Sequence, residues 1–155
     1  MDRIIHCIVR LSCSPDEAFE MFTVNARIQA WLAEQADVEP RVGGKYELFW
    51  DPEHRERNST LGCRITAIET GKLLCFEWKG PVQFASFMNT ADPLTHVNVL
   101  FLSNRELEGA AEVHLIHTGW RSDEYWEQAR TWFEPVWRNA LENLRRLVNE
   151  QELAA

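Results

Sequence analysis

Five histidines and four cysteines carry most of the reactive chemistry in this 155-residue chain, and their spacing narrows what that chemistry is. His114 and His117 are three residues apart in a run whose apolar residues alternate, and on a strand that spacing sends the two rings to opposite faces. His6 falls on the outer phase of another alternating run, and His54 sits in a polar stretch. No HExxH, paired cysteines or clustered carboxylates accompany them, so no metal site is expected. Cys7, Cys13, Cys63 and Cys75 show no CxxC spacing and read as buried, reduced thiols in a cytoplasmic protein. There is no GxSxG elbow for a nucleophile. Gly43-Gly44 runs into a strand and not a helix, which leaves no phosphate-cradling loop and no expected cofactor.

His117 is the exception, because it continues the inward series Val113, Leu115. Two roles are open to it: an acid/base acting on a bound molecule, or a ring satisfied by the C-terminal helix or a backbone carbonyl. The second is the commoner fate of a buried imidazole.

Aromatic residues make the other unusual constellation, with 7 Trp, 8 Phe and 2 Tyr. By periodicity Trp31, Tyr46, Trp50, Trp78, Phe101, Trp132, Phe133 and Trp137 converge on the interior, with Leu48 and Val99 in the same phase. Each ring buries roughly 150–250 Å², and a small curved sheet rarely needs so many. Apolar pockets with few polar groups are lined in this way.

The elements that must position these residues follow from pattern. Residues 3–11 alternate as a strand, and Ser14-Pro15-Asp16-Glu17 supplies a cap, a first-turn proline and two acids for a short helix. A second helix is predicted over 24–32. From Val38 to Thr118 the period is two, with strands expected at 45–50, 60–69, 73–78, 96–103 and 110–118 and an exposed loop at 51–59. A long amphipathic helix then runs to about Glu152, with Ser122 as its expected cap. Phe84, Phe87 and Met88 recur at helical spacing in the connection over 79–95 and are expected to form a lid, the 82–88 segment, over a cavity mouth. The fold class is α+β: a curved antiparallel sheet of six to seven strands against one long C-terminal helix, with two short helices after the first strand, in a single domain over 1–155.

Charge excludes some partners. At a formal charge of −8 the chain lacks the basic stripe that nucleic acid demands, and anionic membranes repel it. No run of roughly 18–20 apolar residues could span a bilayer, and the N-terminus lacks the pattern of a secretory signal.

The order of motifs resembles a known family. Ser14-Pro15-Asp16-Glu17-Ala18-Phe19, Ala30-Trp31-Leu32, Gly43-Gly44-Lys45-Tyr46-Glu47-Leu48, Leu73-Leu74-Cys75-Phe76-Glu77-Trp78, His117-Thr118-Gly119-Trp120, Trp132-Phe133 and Leu141-Glu142-Asn143-Leu144 occur in sequence along nearly the whole chain. The series is similar to the Hsp90-ATPase-activator-homologue-1-like domains of the START-like (Bet v 1-like, SRPBCC) superfamily. That resemblance implies a helix-grip fold with a deep apolar cavity, used by members for lipids, steroids, polyketides and other hydrophobic molecules, and by a minority for catalysis.

The expected function is binding of a hydrophobic or aromatic small molecule, lipid- or polyketide-like, by Trp31, Tyr46, Leu48, Trp50, Trp78, Phe84, Phe87, Met88, Val99, Phe101, His117, Trp132, Phe133 and Trp137. One alternative is a cyclase- or hydrolase-type enzyme using His117 as acid/base. A second is a protein-interaction module resembling the chaperone activator. Leu100, Leu102 and Ile116 alternate opposite to the inward residues, and their outward aliphatic patch suggests a homodimer.

Overall fold

The computed structural model describes residues 3–154. The chain opens with β1 (Ile5–Leu11), whose alternation buries Ile5, Cys7, Val9 and Leu11 on one face. α1 (Pro15–Thr23) starts at Ser14, whose hydroxyl accepts the Glu17 amide at 3.1 Å, with Asp16 and Glu17 placed against the helix dipole. α2 (Asn25–Ile28) is shorter than the helix expected over 24–32. Val24 offers no capping side chain, and the side-chain oxygens of Asn25 and Gln29 accept the Val38 and Ala36 amides at 2.9 and 3.0 Å. Both residues are thereby committed to β2 (Gln35–Val38), a strand that no apolar alternation announces.

β3 (Tyr46–Phe49), β4 (Ile65–Glu69), β5 (Leu73–Trp78), the one-turn α3 (Ala85–Met88), β6 (Thr95–Ser103) and β7 (Ala111–Thr118) then lead to α4 (Glu124–Ala154). The strands are antiparallel and fall into two sheets. Five form an open sheet in the order β1-β7-β6-β5-β4, while β2 and β3 form a ribbon that meets it through a bridge at Lys45–Arg64, next to β4, and pairs Phe49 with Ser59 of the following loop. The strand expected over 60–69 begins only at Ile65. Thr60 explains the difference: its amide donates to the Leu48 carbonyl at 2.9 Å, but its buried hydroxyl accepts the Leu48 amide and donates to the Tyr46 carbonyl, both at 2.8 Å, while its own carbonyl accepts the Cys63 amide in a turn.

The inward residues of β1, β5, β6 and β7 share one core with the apolar stripe of α4, including Trp126, Phe133, Trp137, Leu141 and Leu144. Asp123, not Ser122, caps this helix, accepting the Trp126 amide at 3.0 Å. Its outer face pairs Arg138 with Glu134 at 3.1 Å and Arg146 with Glu142 at 3.5 Å. Between β7 and α4, Gly119 has φ of 91°, and a Cβ there would meet the Thr95 Cα at 3.2 Å. Glycine is what lets the chain leave the sheet this close to β6. Among the described residues no helix is long and apolar enough to cross a membrane.

Candidate functional site: a tryptophan-walled cavity

A cavity of about 430 Å³ opens between the end of β5, the middle of α4 and the loops 50–59 and 79–83. Its apolar walls come from two elements whose periodicities bring them together. β5 supplies Trp78 from its inward phase, and α4 supplies Trp132, Phe133, Val136, Trp137 and Ala140 at spacings of three and four. The rings pack edge to face and tilted, not in parallel stacks: Trp78 to Trp137 at 5.0 Å, Trp50 to Trp78 at 5.8 Å, and Trp132 to Phe133 at 4.9 Å. Trp50 is 41% exposed and Trp132 is 38% exposed, so these two indoles stand at the mouth. Trp50 is held there by its Nε1–H, which donates to the Leu32 carbonyl at 2.9 Å.

The polar lining comes from Asp51, Asn58, Ser59, Lys79 and Gln83. Several of these are already tied to the surrounding loops. Asp51 Oδ2 lies 3.1 Å from His54 Nδ1, Lys79 Nζ donates to the Leu61 carbonyl at 2.6 Å, and Asn58 Oδ1 accepts the Val82 amide at 3.0 Å. The site thus combines an aromatic body with one carboxylate, one ammonium and neutral polar groups from the two loops, a composition suited to an amphipathic molecule.

His117 lies behind this wall and is fully buried. Its Nδ1 accepts the Trp137 indole N–H at 3.0 Å, and its Nε2 is 3.0 Å from Thr95 Oγ1. Because an indole only donates, Nδ1 must be the bare nitrogen, and Nε2–H donates to Thr95. The Thr95 hydroxyl in turn donates to the Trp78 carbonyl at 3.3 Å. Burial, with a smaller push from His96, takes the imidazole pKa down to about 3. The ring is therefore neutral near pH 7, and both of its nitrogens are engaged. It links the two cavity walls, Trp137 on α4 and Trp78 on β5.

Of the residues expected to line a cavity, Trp50, Trp78, Trp132, Phe133 and Trp137 do so. Trp31, Tyr46, Leu48, Met88, Val99 and Phe101 are buried in the packed core instead, away from the cavity lining. Trp31 donates to the Met21 carbonyl at 2.8 Å, and the Tyr46 hydroxyl donates to the Phe22 carbonyl at 2.8 Å. Phe101 meets Phe19 and Phe22, each at 5.4 Å. The 82–88 segment borders the mouth: Gln83 lines it, while Phe84 braces Trp132 at 5.6 Å and Phe87 packs on Trp126 at 5.2 Å.

Trp50 reaches the cavity by a different route from the expected one. β3 ends at Phe49, which is 1% exposed and sits under the Arg55 guanidinium at 4.0 Å, so the alternation breaks one residue before Trp50. Val136 and Ala140 could have been added to the lining from the helical spacing of Phe133 and Trp137. Asp51, Asn58, Lys79 and Gln83 carry no local signal, because loop geometry alone places them. The cysteines form no disulfide: Cys7, Cys13 and Cys63 are buried and Cys75 half-buried, and burial pushes the Cys63 thiol up to about 12.

A sequence model described as activator of Hsp90 ATPase homolog 1-like protein matches residues 12–149. No curated protein matches the chain. Among solved structures, protein MLL2253 from Mesorhizobium loti is similar over 96% of this chain and 98% of its own, with a TM-score of 0.76 and 20% identity. The Aha1 dimer from Colwellia psychrerythraea covers 94% of this chain and 96% of its own, with a TM-score of 0.68 and 14% identity. DynU16, a protein of the dynemicin biosynthetic locus, covers 96% of this chain at a TM-score of 0.68 and 13% identity, over 48% of its own length. At these identities the likeness is one of fold.

Proposed function

This chain belongs to the activator of Hsp90 ATPase homolog 1-like family, and from that premise we propose that it binds a hydrophobic or aromatic small molecule in the tryptophan-walled cavity. The observation that carries this reading is the cavity itself, about 430 Å³ with four indoles, Trp50, Trp78, Trp132 and Trp137, in its lining. That volume falls within the range of small-molecule sites. Lipid- and polyketide-like molecules both offer the apolar body the walls would cover.

Catalysis by His117 is the weaker reading. Its two nitrogens are occupied by Trp137 and Thr95, and the ring does not line the cavity. Incubating the chain with a panel of fatty acids and polycyclic aromatics, followed by native mass spectrometry, tests the binding proposal. Retention of an unaltered aromatic supports it; return of a chemically changed molecule would favour an enzyme, and no retention at all would remove it. Stimulation of Hsp90 ATPase by the chain alone tests the interaction reading.

Pairing through the outer face of the sheet is proposed as well. Leu102 is 45% exposed with half-buried Leu100 beside it on β6, while Ile8, 51% exposed, and half-buried Ile116 lie across His114 from them on the same face. The Colwellia relative is a dimer in solution. A cytoplasmic location remains part of the proposal.

A further inference from the structure

β1 and β7 are antiparallel neighbours, with His6 opposite Ile116 and Ile8 opposite His114. The two histidines therefore stand diagonal to one another on the outer phase, on the side of the sheet away from the cavity. His6 Nε2 lies 2.9 Å from His114 Nδ1, with ring centroids 5.2 Å apart. Behind the pair, His114 Nε2 is 3.3 Å from Glu112 Oε2, and the other Glu112 oxygen is 3.3 Å from an Arg10 guanidinium nitrogen. A carboxylate only accepts, so Glu112 holds the proton of neutral His114 on Nε2 and leaves Nδ1 as a lone pair aimed at His6. In the pair as it stands His6 donates through Nε2. Moving that proton to the other nitrogen of this exposed ring turns a second lone pair toward the same point, with no change in net charge.

We propose that His6 and His114 form a two-imidazole site for a divalent transition-metal ion of the copper(II) or nickel(II) class. The 2.9 Å separation is that of the N–H···N hydrogen bond the pair makes without metal, and an ion would take the place of that proton between the two nitrogens. The preference for copper(II) over zinc follows from the affinity order of imidazole sites. His6 is exposed in the single protomer, so its ring can turn until both lone pairs converge on the ion, and pairing through the adjoining Leu100–Leu102 edge of the face has to leave this ring clear. Glu112 plays the supporting part typical of metal-bound histidine, fixing the tautomer and orientation of His114. The net charge of −8 favours approach of a cation. Water completes the coordination, since among the described residues no group of three or more His, Cys, Asp and Glu is placed to hold a metal.

The test is calorimetric titration of the full chain with nickel(II), copper(II) and zinc(II) chloride in a non-coordinating buffer. One ion per chain is expected, with copper and nickel tighter than zinc. His6→Ala and His114→Ala should each weaken binding at least tenfold, and Glu112→Gln by about tenfold, with unchanged circular dichroism. Electron paramagnetic resonance of the copper form should show coupling to two imidazole nitrogens, falling to one in either alanine variant. Three results would overturn the site: no saturable binding to the wild type, undiminished binding to the double alanine variant, or zinc held more tightly than copper.

Discussion

His117 accepts the Trp137 indole proton on Nδ1 at 3.0 Å, and that one bond fixes its tautomer, ties α4 to β7 and sets the orientation of a cavity wall. Through Thr95 the same ring reaches the carbonyl of Trp78 on the opposite wall. The chemistry of this histidine is spent on holding the cavity open in one shape.

Removing the ring should therefore be expensive. His117→Ala leaves the Trp137 N–H and the Thr95 hydroxyl without their buried partner and creates a void, so a loss of about 2–5 kcal/mol is expected. Urea unfolding, read as a shift in midpoint at constant slope, measures it. A loss below about 0.5 kcal/mol would mean that the linkage does not stabilise the fold.

Thr95→Val tests the second bond of the chain. The shape is nearly preserved, but the His117 Nε2–H loses its acceptor, which should cost about 1–3 kcal/mol. Combined with His117→Ala the two effects should fall short of additive, because both variants break the same linkage.

The acid dependence of stability has a definite sign. His117 is neutral when folded, with a pKa pushed down to about 3, while in the unfolded chain it titrates near 6.5. Below pH 6.5 the unfolded state takes up a proton that the folded state refuses. The associated stability is thus complete above pH 6.5 and is lost as pH falls toward 3, by about 1.4 kcal/mol per unit. The ion-paired Glu127 and Glu142, whose pKa values are lowered by Arg130 and Arg145, add losses only in the carboxylate range. Chemical denaturation between pH 7 and 5, compared between wild type and His117→Gln, isolates this one of the five histidines, and the variant's curve should be flatter there.

The proposed dimer makes a simple prediction. Leu102→Lys places a charge on the exposed aliphatic patch and should yield the monomer mass by light scattering at micromolar concentration, with unchanged circular dichroism. A monomeric wild type under the same conditions would dispose of the interface.

Periodicity made much of this molecule legible in advance. The alternation of β1, β5, β6 and β7 and the helical stripe of α4 each have one buried face, so the hydrophobic pattern and the burial agree along the strands and along most of the helix, Trp132 and Val136 at the cavity mouth being the exposed exceptions. β2 escaped because Gln35–Val38 takes its hydrogen bonds from Asn25 and Gln29 as well as from its partner strand and needs no apolar alternation. In the site, Trp78, Trp132, Phe133 and Trp137 could be read from phase. What phase cannot say is which end of the inward face is filled. Val99 and Phe101 share the phase of Val97, yet Phe19 and Phe22 of α1 pack on Phe101 and close that end, while the Trp78 end stays open. His6 and His114 are 108 residues apart, and only the strand register brings them together.

The seven tryptophans provide the most direct test of the cavity, because each carries one indole N–H with its own resonance in a ¹⁵N–¹H spectrum. A polycyclic aromatic ligand taken from the mass-spectrometric panel should produce saturable shifts at Trp50, Trp78, Trp132 and Trp137 and leave Trp31, Trp120 and Trp126, which lie outside the lining, nearly unmoved. Ala140→Phe, which places a ring inside the cavity, should abolish those shifts while the fold persists. Shifts confined to Trp31, Trp120 or Trp126, or an Ala140→Phe variant that binds as well as the wild type, would contradict the assignment of this cavity as the binding site.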